Sequence, residues 1–240
     1  MIDALSHRLT NSAAARLKHF ADLADKRALD LELERLKIRG ATEIPTWTTR
    51  TQLETLYRLA ASLPAGAKVV EFGSYLGAST CFLAAGVAAG NGKVIAIDLW
   101  NNETIPDDVR DTFADFERNI AGVQHFVKIV RKNTAELTPD DVEPPVDLAF
   151  VDADHSYEAT RNDAAFIAPL MGANGILAFH DSTTFAGVGK TVGEFLATGE
   201  WCIGGHVESL TWIRRARWSK WPPADDYRKP SGYRDGAGAA

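Results

Sequence analysis

The sequence predicts an α/β fold, a doubly wound and mostly parallel sheet. Apolar runs at 69–72, 94–97, 126–130, 146–151 and 176–179 read as buried strands, with helical or polar segments between them. Strands that alternate with helices in this way lie parallel, with helices covering both faces. The first run opens into a turn bearing Gly73 and Gly77 and the second ends on Asp98, so the polar chemistry gathers at the strands' carboxyl ends.

A chain of 240 residues suits one large α/β domain with extensions. Hydrophobic residues make up 45% and charged residues 24%, a balance that supports a packed core. The net charge of −6 is unevenly placed: residues 1–40 carry 8 basic and 6 acidic side chains, 41–212 carry 11 and 23, and 213–240 carry 7 and 3. The acidic centre would repel a phosphate backbone, so no nucleic-acid partner is expected. The opening MIDALSHRLT has no basic region followed by an apolar run, and no stretch is long enough to cross a bilayer. A soluble, cytoplasmic protein with no membrane partner is the expectation. Cys81 and Cys202 suggest neither a disulfide framework nor a cysteine metal cluster, and Cys81 reads as core packing.

Residues 1–40 form a helical N-terminal extension, with Leu5, Leu9, Leu17, Phe20, Leu23, Leu29, Leu33 and Leu36 at roughly helical intervals and Gly40 as the stop. These helices pack on the domain, cover the site, or join subunits as a homo-oligomer. Thr49-Arg50-Thr51-Gln52 has capping-box spacing, and Leu53, Leu56, Leu59 and Leu63 follow on one face. After the first strand and its turn, a helix is expected from Ser79 to Ala89. An acidic stretch, 101–119, leads into a helix bearing Val109, Phe113, Phe116 and Ile120. The strand at 146–151 is followed by Asp152, Asp154, His155, Tyr157 and Glu158, then by a helix that Gly172 to Gly175 should close. The strand at 176–179 ends in His180-Asp181-Ser182, and a helix is expected over 188–197. Two last strands, 201–203 and 206–213, should be joined near Gly204-Gly205. From 219 to 240, Pro, Gly, Ala and charges predict a flexible tail.

At the first turn, Gly73 and Gly77 permit unusual backbone angles and leave room for a ligand against the main chain. Asp98 follows Gly73 by 25 residues, where a carboxylate can accept ribose hydroxyls. Glu71 would repel a pyrophosphate but attract an ammonium. Glu71-Phe72-Gly73-Ser74-Tyr75-Leu76-Gly77 with Ile97-Asp98-Leu99-Trp100 resembles the first two motifs of class I S-adenosylmethionine-dependent methyltransferases. The resemblance implies a Rossmann-like seven-stranded sheet over residues 41–218, closed by an antiparallel edge hairpin. It also implies a methionine-binding turn, with Glu71, Gly73, Ser74, Gly77, Ser79 and Asp98 as cofactor contacts and Asn133 bordering the adenine. Trp100 either stacks beside the adenine or is a core or rim aromatic.

Asp152 and Asp181 each end a strand. If the strands are neighbours, as the resemblance implies, their ends lie roughly 5 Å apart and both carboxylates can converge on one divalent cation, Mg²⁺ or Mn²⁺. Asp152-x-x-His155 with His180-Asp181 is similar to a metal-dependent O-methyltransferase subgroup that includes macrolide-sugar methyltransferases and cephalosporin-biosynthesis relatives. That resemblance implies Asp152 and Asp181 as ligands, His155 as general base and a small-molecule acceptor, a sugar or glycosylated metabolite. His180 stands where those relatives carry an acid, and a nitrogen ligand suits Mn²⁺ or Fe²⁺ better than Mg²⁺. On an ideal strand His180 and Asp181 point to opposite faces, so both can bind only if the strand has already turned. Helix capping by Asp152 and core packing of His180 are the structural alternatives. Gly187-Val188-Gly189-Lys190-Thr191 resembles the end of a phosphate loop, but Thr184 stands where the first glycine belongs. The competing functions are an NAD-dependent oxidoreductase, a non-catalytic assembly module and a metal-dependent hydroxylase.

Overall fold

The computed structural model describes residues 16, 19–21, 23–24, 26–101 and 110–216. The expected tail at 219–240, the Ile105-Pro106 stretch with Val109, and the first helical positions Leu5, Leu9 and Leu17 lie outside the described residues. Among those described, no helix is long and apolar enough to cross a membrane.

Helix α1 (residues 26–35) buries Leu29 and Leu33, one turn apart, in the same apolar cluster as α2 (Arg50–Ala61) and α3 (Ala78–Ala88). The predicted capping box starts α2: Gln52 N donates to Thr49 Oγ1 at 3.3 Å and Thr49 N donates to Gln52 Oε1 at 2.8 Å. The remaining helices are α4 (Phe113–Ile120), the single turn α5 (Pro139–Val142), α6 (Tyr157–Ile167) and α7 (Ala186–Ala197).

Seven strands form one sheet: β1 (Lys68–Phe72), β2 (Lys93–Asp98), β3 (Val127–Arg131), β4 (Val146–Val151), β5 (Met171–Phe179), β6 (Trp201–Val207) and β7 (Leu210–Arg215). Their order is β3-β2-β1-β4-β5-β7-β6, with the first five parallel and the last two antiparallel. The alternation of each strand sorts its side chains onto two faces. Val69, Val94, Leu148 and Ile176 face the α1–α4 side; Val70, Ile95, Ala149 and Leu177 face α6 and α7. The strand order reverses between β1 and β4, and a crevice at that switch point is where an open sheet of this kind places its ligand.

Two elements differ from the sequence reading. Gly172 to Gly175 do not close a helix: α6 stops at Ile167, a 3₁₀ turn with Pro169 follows, and the glycines sit inside β5 where its register against β4 shifts. The hairpin turns at Glu208-Ser209, not at Gly204-Gly205, because Val207 pairs with Leu210 and Glu208 takes a φ of 53°. The two glycines lie in β6 beneath Trp212. A Cβ would fall 2.5 Å from Trp212 Cδ1 at Gly204 and 2.6 Å from Cε2 at Gly205, so they clear space for an indole.

Candidate active site

The turn after β1 is built around two carboxylates. Glu71 is fully buried, and its Oε2 accepts from Ser74 Oγ at 2.8 Å and Thr80 Oγ1 at 2.5 Å. Burial pushes the Glu71 carboxyl up to about 7, although the hydroxyls of Ser79, Thr80 and Ser74 pull it down part of the way. Its Oε1 has no hydrogen-bond partner among the described residues. Asp98, at the end of β2, holds the turn itself: Oδ2 accepts from Ser74 N at 2.8 Å and Tyr75 N at 2.9 Å, and Oδ1 accepts from Trp100 N at 2.6 Å. A carboxylate has about four acceptor positions, and three are taken here. Receiving two ribose hydroxyls therefore requires release of some of the turn's N–H groups.

Neighbouring chain alone requires both glycines. Gly73 has a φ of 85°, and a Cβ there would lie 2.7 Å from the Asp152 carbonyl carbon and 2.8 Å from Ala153 Cα. Gly77 has a φ of 89° and abuts Ile120 and Phe116 of α4. The close approach at Gly73 brings the β1 turn against the β4 exit. Ser79 is buried in the first turn of α3.

Trp100 is a core residue. It is fully buried, its Nε1 donates to Tyr75 O at 2.9 Å, and its ring packs on Phe116 at 4.6 Å and Phe113 at 5.2 Å. Among the described residues its surroundings are those of the core aromatic that the sequence reading offered as the alternative to stacking on an adenine. Asn133 is exposed after β3 and its Oδ1 accepts from Ala135 N at 3.0 Å, a cap for the 3₁₀ turn that follows. Tyr157 OH donates to Glu194 Oε1 at 2.8 Å, a packing contact between α6 and α7. Gly187 to Thr191 lie within α7.

The second half of the site lies at the ends of β4 and β5. His180 Nδ1 is 3.0 Å from Asp152 Oδ1 and 3.5 Å from Asp181 Oδ2; His155 Nε2 is 3.4 Å and 3.7 Å from the same two oxygens. Two carboxylates and two imidazoles thus converge. Asp181 takes a φ of 55°, so the chain has already turned after β5 and its side chain reaches the same side as His180. Burial opposes charge on Asp152, yet His155 and His180 hold its carboxyl below the usual range. Burial likewise lowers His180, but Asp152 and then Asp181 outweigh it and leave the imidazole raised.

These side chains fit a divalent cation. One ligand atom each from Asp152, His155 and His180 lies within 4.8 Å of the others. His180 Nδ1 is buried and makes no hydrogen bond, despite its short distance to Asp152. A buried nitrogen facing two carboxylates is satisfied by a proton on the ring or, where the imidazole is neutral, by a cation.

Sequence reasoning missed Gln52, Phe185 and Trp47. Gln52 Oε1 is 3.2 Å from His180 Nε2; only its place in the capping box was legible. Phe185 stacks on His155 at 4.5 Å and is 44% exposed. Trp47 is 64% exposed and lies 5.1 Å from the ring of Tyr75 in the β1 turn. Exposed aromatics carry no periodic signal that a sequence could show.

Residues 70–182 match the family described as Methyltransferase domain. The match covers 113 of the chain's 240 residues and makes that segment similar to a methyltransferase domain. No curated protein matches the chain in sequence. Among solved structures, the chain resembles the O-methyltransferase NovP at 15% identity and TM-score 0.56, over 80% of this chain and 100% of that one. It also resembles an O-methyltransferase from Bacillus cereus in complex with SAH, at 19% identity and TM-score 0.54, over 78% and 91%. CalS11, a TDP-rhamnose 3'-O-methyltransferase of calicheamicin biosynthesis, aligns at 18% identity and TM-score 0.52, over 79% and 94%. At these identities the similarity establishes the shared fold.

Proposed function

We propose that this protein moves a methyl group from S-adenosylmethionine to a hydroxyl oxygen of a small molecule, with a sugar or glycosylated metabolite as the favoured acceptor. The observation that carries the reading is the convergence of Asp152, His155, His180 and Asp181 beside a glycine turn whose Gly73 packs against the backbone of Asp152. The donor lies across Glu71, Gly73, Ser74, Gly77, Ser79 and Asp98, with Asn133 toward the adenine. Glu71 Oε1, buried and unpaired, supplies a negative partner for the donor's ammonium.

His180 and His155 divide two roles by position. His180 is 2% exposed and presents an unpaired nitrogen, which suits a ligand; His155 is 29% exposed at the crevice, which suits proton exchange with an acceptor. Asp152, Asp181 and His180 would hold the cation, and a bound divalent ion would make the acceptor hydroxyl more acidic. His155 takes the hydroxyl proton as the oxygen attacks the methyl carbon. The C–O bond forms, the S–CH₃ bond breaks, and the sulfonium leaves as the neutral thioether of S-adenosylhomocysteine. The His180 nitrogen among the ligands would favour Mn²⁺ over Mg²⁺.

Phe185 and Trp47 supply exposed aromatic faces at the two sides of this region, suited to a ring-shaped acceptor. The acidic central region disfavours nucleic acid. A cytoplasmic setting agrees with two free cysteines, and exposed Phe20, Leu23 and Leu31 give the N-terminal helices a surface for a homo-oligomer.

The test is transfer of labelled methyl from S-adenosylmethionine to a panel of free sugars, glycosides and nucleotide sugars. Methylation of a hydroxyl that stops on chelation and returns more fully with Mn²⁺ than with Mg²⁺ is expected. Full activity in chelator removes the cation from the reading, and transfer only to RNA or protein removes the small-molecule acceptor.

A further inference from the structure

The cap of α2 and the cation cluster share one atom. Gln52 Oε1 accepts from Thr49 N at 2.8 Å and lies 3.2 Å from His180 Nε2, while its Nε2 donates to Ser209 Oγ at 2.9 Å. A backbone N–H can only donate, so the end of the Gln52 amide facing Thr49 is its oxygen. An oxygen so placed needs a hydrogen from His180, which puts a proton on Nε2. A neutral imidazole has one N–H, so Nδ1 keeps its lone pair. That nitrogen is the one facing Asp152 and Asp181 without a hydrogen bond. Gln52 is 1% exposed and His180 2%, so the pair is enclosed.

We propose that Gln52 is a positioning residue that holds His180 as the Nε2–H tautomer and thereby turns the Nδ1 lone pair toward the cation. What Nδ1 binds rests on the metal reading above; the tautomer is set by Gln52 Oε1 at Nε2 against the competing acceptor Asp152 Oδ1, 3.0 Å from Nδ1. Residues behind a metal-binding histidine commonly fix its tautomer and ring orientation, and losing one costs roughly 10- to 100-fold in metal affinity. Here the fixing group belongs to a helix cap 128 residues away in sequence.

The test is side-chain ¹⁵N spectroscopy of the metal-free, full-length protein at alkaline pH, where the imidazole is neutral, followed by titration with Mn²⁺ alone. The wild-type His180 is expected as the Nε2–H tautomer. Gln52→Met, which keeps the bulk and removes the acceptor, should give mixed or reversed tautomers and bind Mn²⁺ about 10- to 100-fold more weakly. Gln52→Glu, which keeps an oxygen at that place, should restore the wild-type tautomer. An Nδ1–H signal in the wild type overturns the proposal before any variant is made, and so does an unchanged tautomer in Gln52→Met. An Nε2–H tautomer that shifts in Gln52→Met, in a wild-type protein that binds no Mn²⁺, overturns the metal reading and upholds the role of Gln52.

Discussion

Asp152→Asn should lower the methyl-transfer rate by about a thousandfold or more, while leaving affinity for S-adenosylmethionine close to that of the wild type. Asp152 is the nearer of the two carboxylates to both histidines, at 3.0 Å from His180 Nδ1 and 3.4 Å from His155 Nε2. On the proposed mechanism its loss would remove a cation ligand and an anion that orients the base together, and each such contribution is worth roughly 10²–10⁴ in rate. The proposed donor contacts do not include Asp152, so binding and chemistry should separate. Single-turnover rates beside donor titrations check this. A variant within about tenfold of wild-type turnover would place the chemistry elsewhere.

Gly73→Ala should be the most destabilising small substitution in the domain, by about 3–5 kcal/mol. A φ of 85° is unfavourable for alanine by about 1–2 kcal/mol. The added Cβ also lands 2.7 Å from the Asp152 carbonyl carbon and 2.8 Å from Ala153 Cα, backbone atoms that can move only by parting β1 from β4. Gly193→Ala, in α7 with nothing within 4 Å of its Cβ, should have the opposite sign, a gain of about 0.5–1 kcal/mol from helix propensity. Thermal unfolding of the two variants makes the comparison. Equal melting temperatures would show that the β1 turn does not need the left-handed geometry.

The parallel strands were legible because both faces of each are covered, which produces unbroken apolar runs such as Val146 to Val151. The carboxyl-end acids were legible for the same reason: Asp152 and Asp181 interrupt apolar strands abruptly, and the structure brings both to one cluster. Local signals misled where tertiary packing competed with them. Gly204-Gly205 reads as a turn, yet its glycines answer to the Trp212 ring lying over β6. Gly73 reads as room for a ligand, and its packing against the β4 exit, where a Cβ would fall, has no signal in the sequence. Trp100 follows an acid at a strand end, but its burial depends on Phe113 and Phe116 from a later helix. Gln52 was invisible as a site residue because a capping box explains it completely within four residues; its contact to His180 appears only once α2 is docked beside β5.

The account stands on donor binding, and calorimetric titration of S-adenosylmethionine above and below neutral pH tests it directly. Burial raises the Glu71 carboxyl to about 7, so it is neutral below that pH and anionic above it. An ammonium ligand favours the anion, so binding should release a proton at low pH. Affinity should fall about tenfold per pH unit below the titration point. Micromolar binding at alkaline pH that weakens on acidification is the predicted result. No binding at either pH would contradict the assignment of the β1 turn as the donor site.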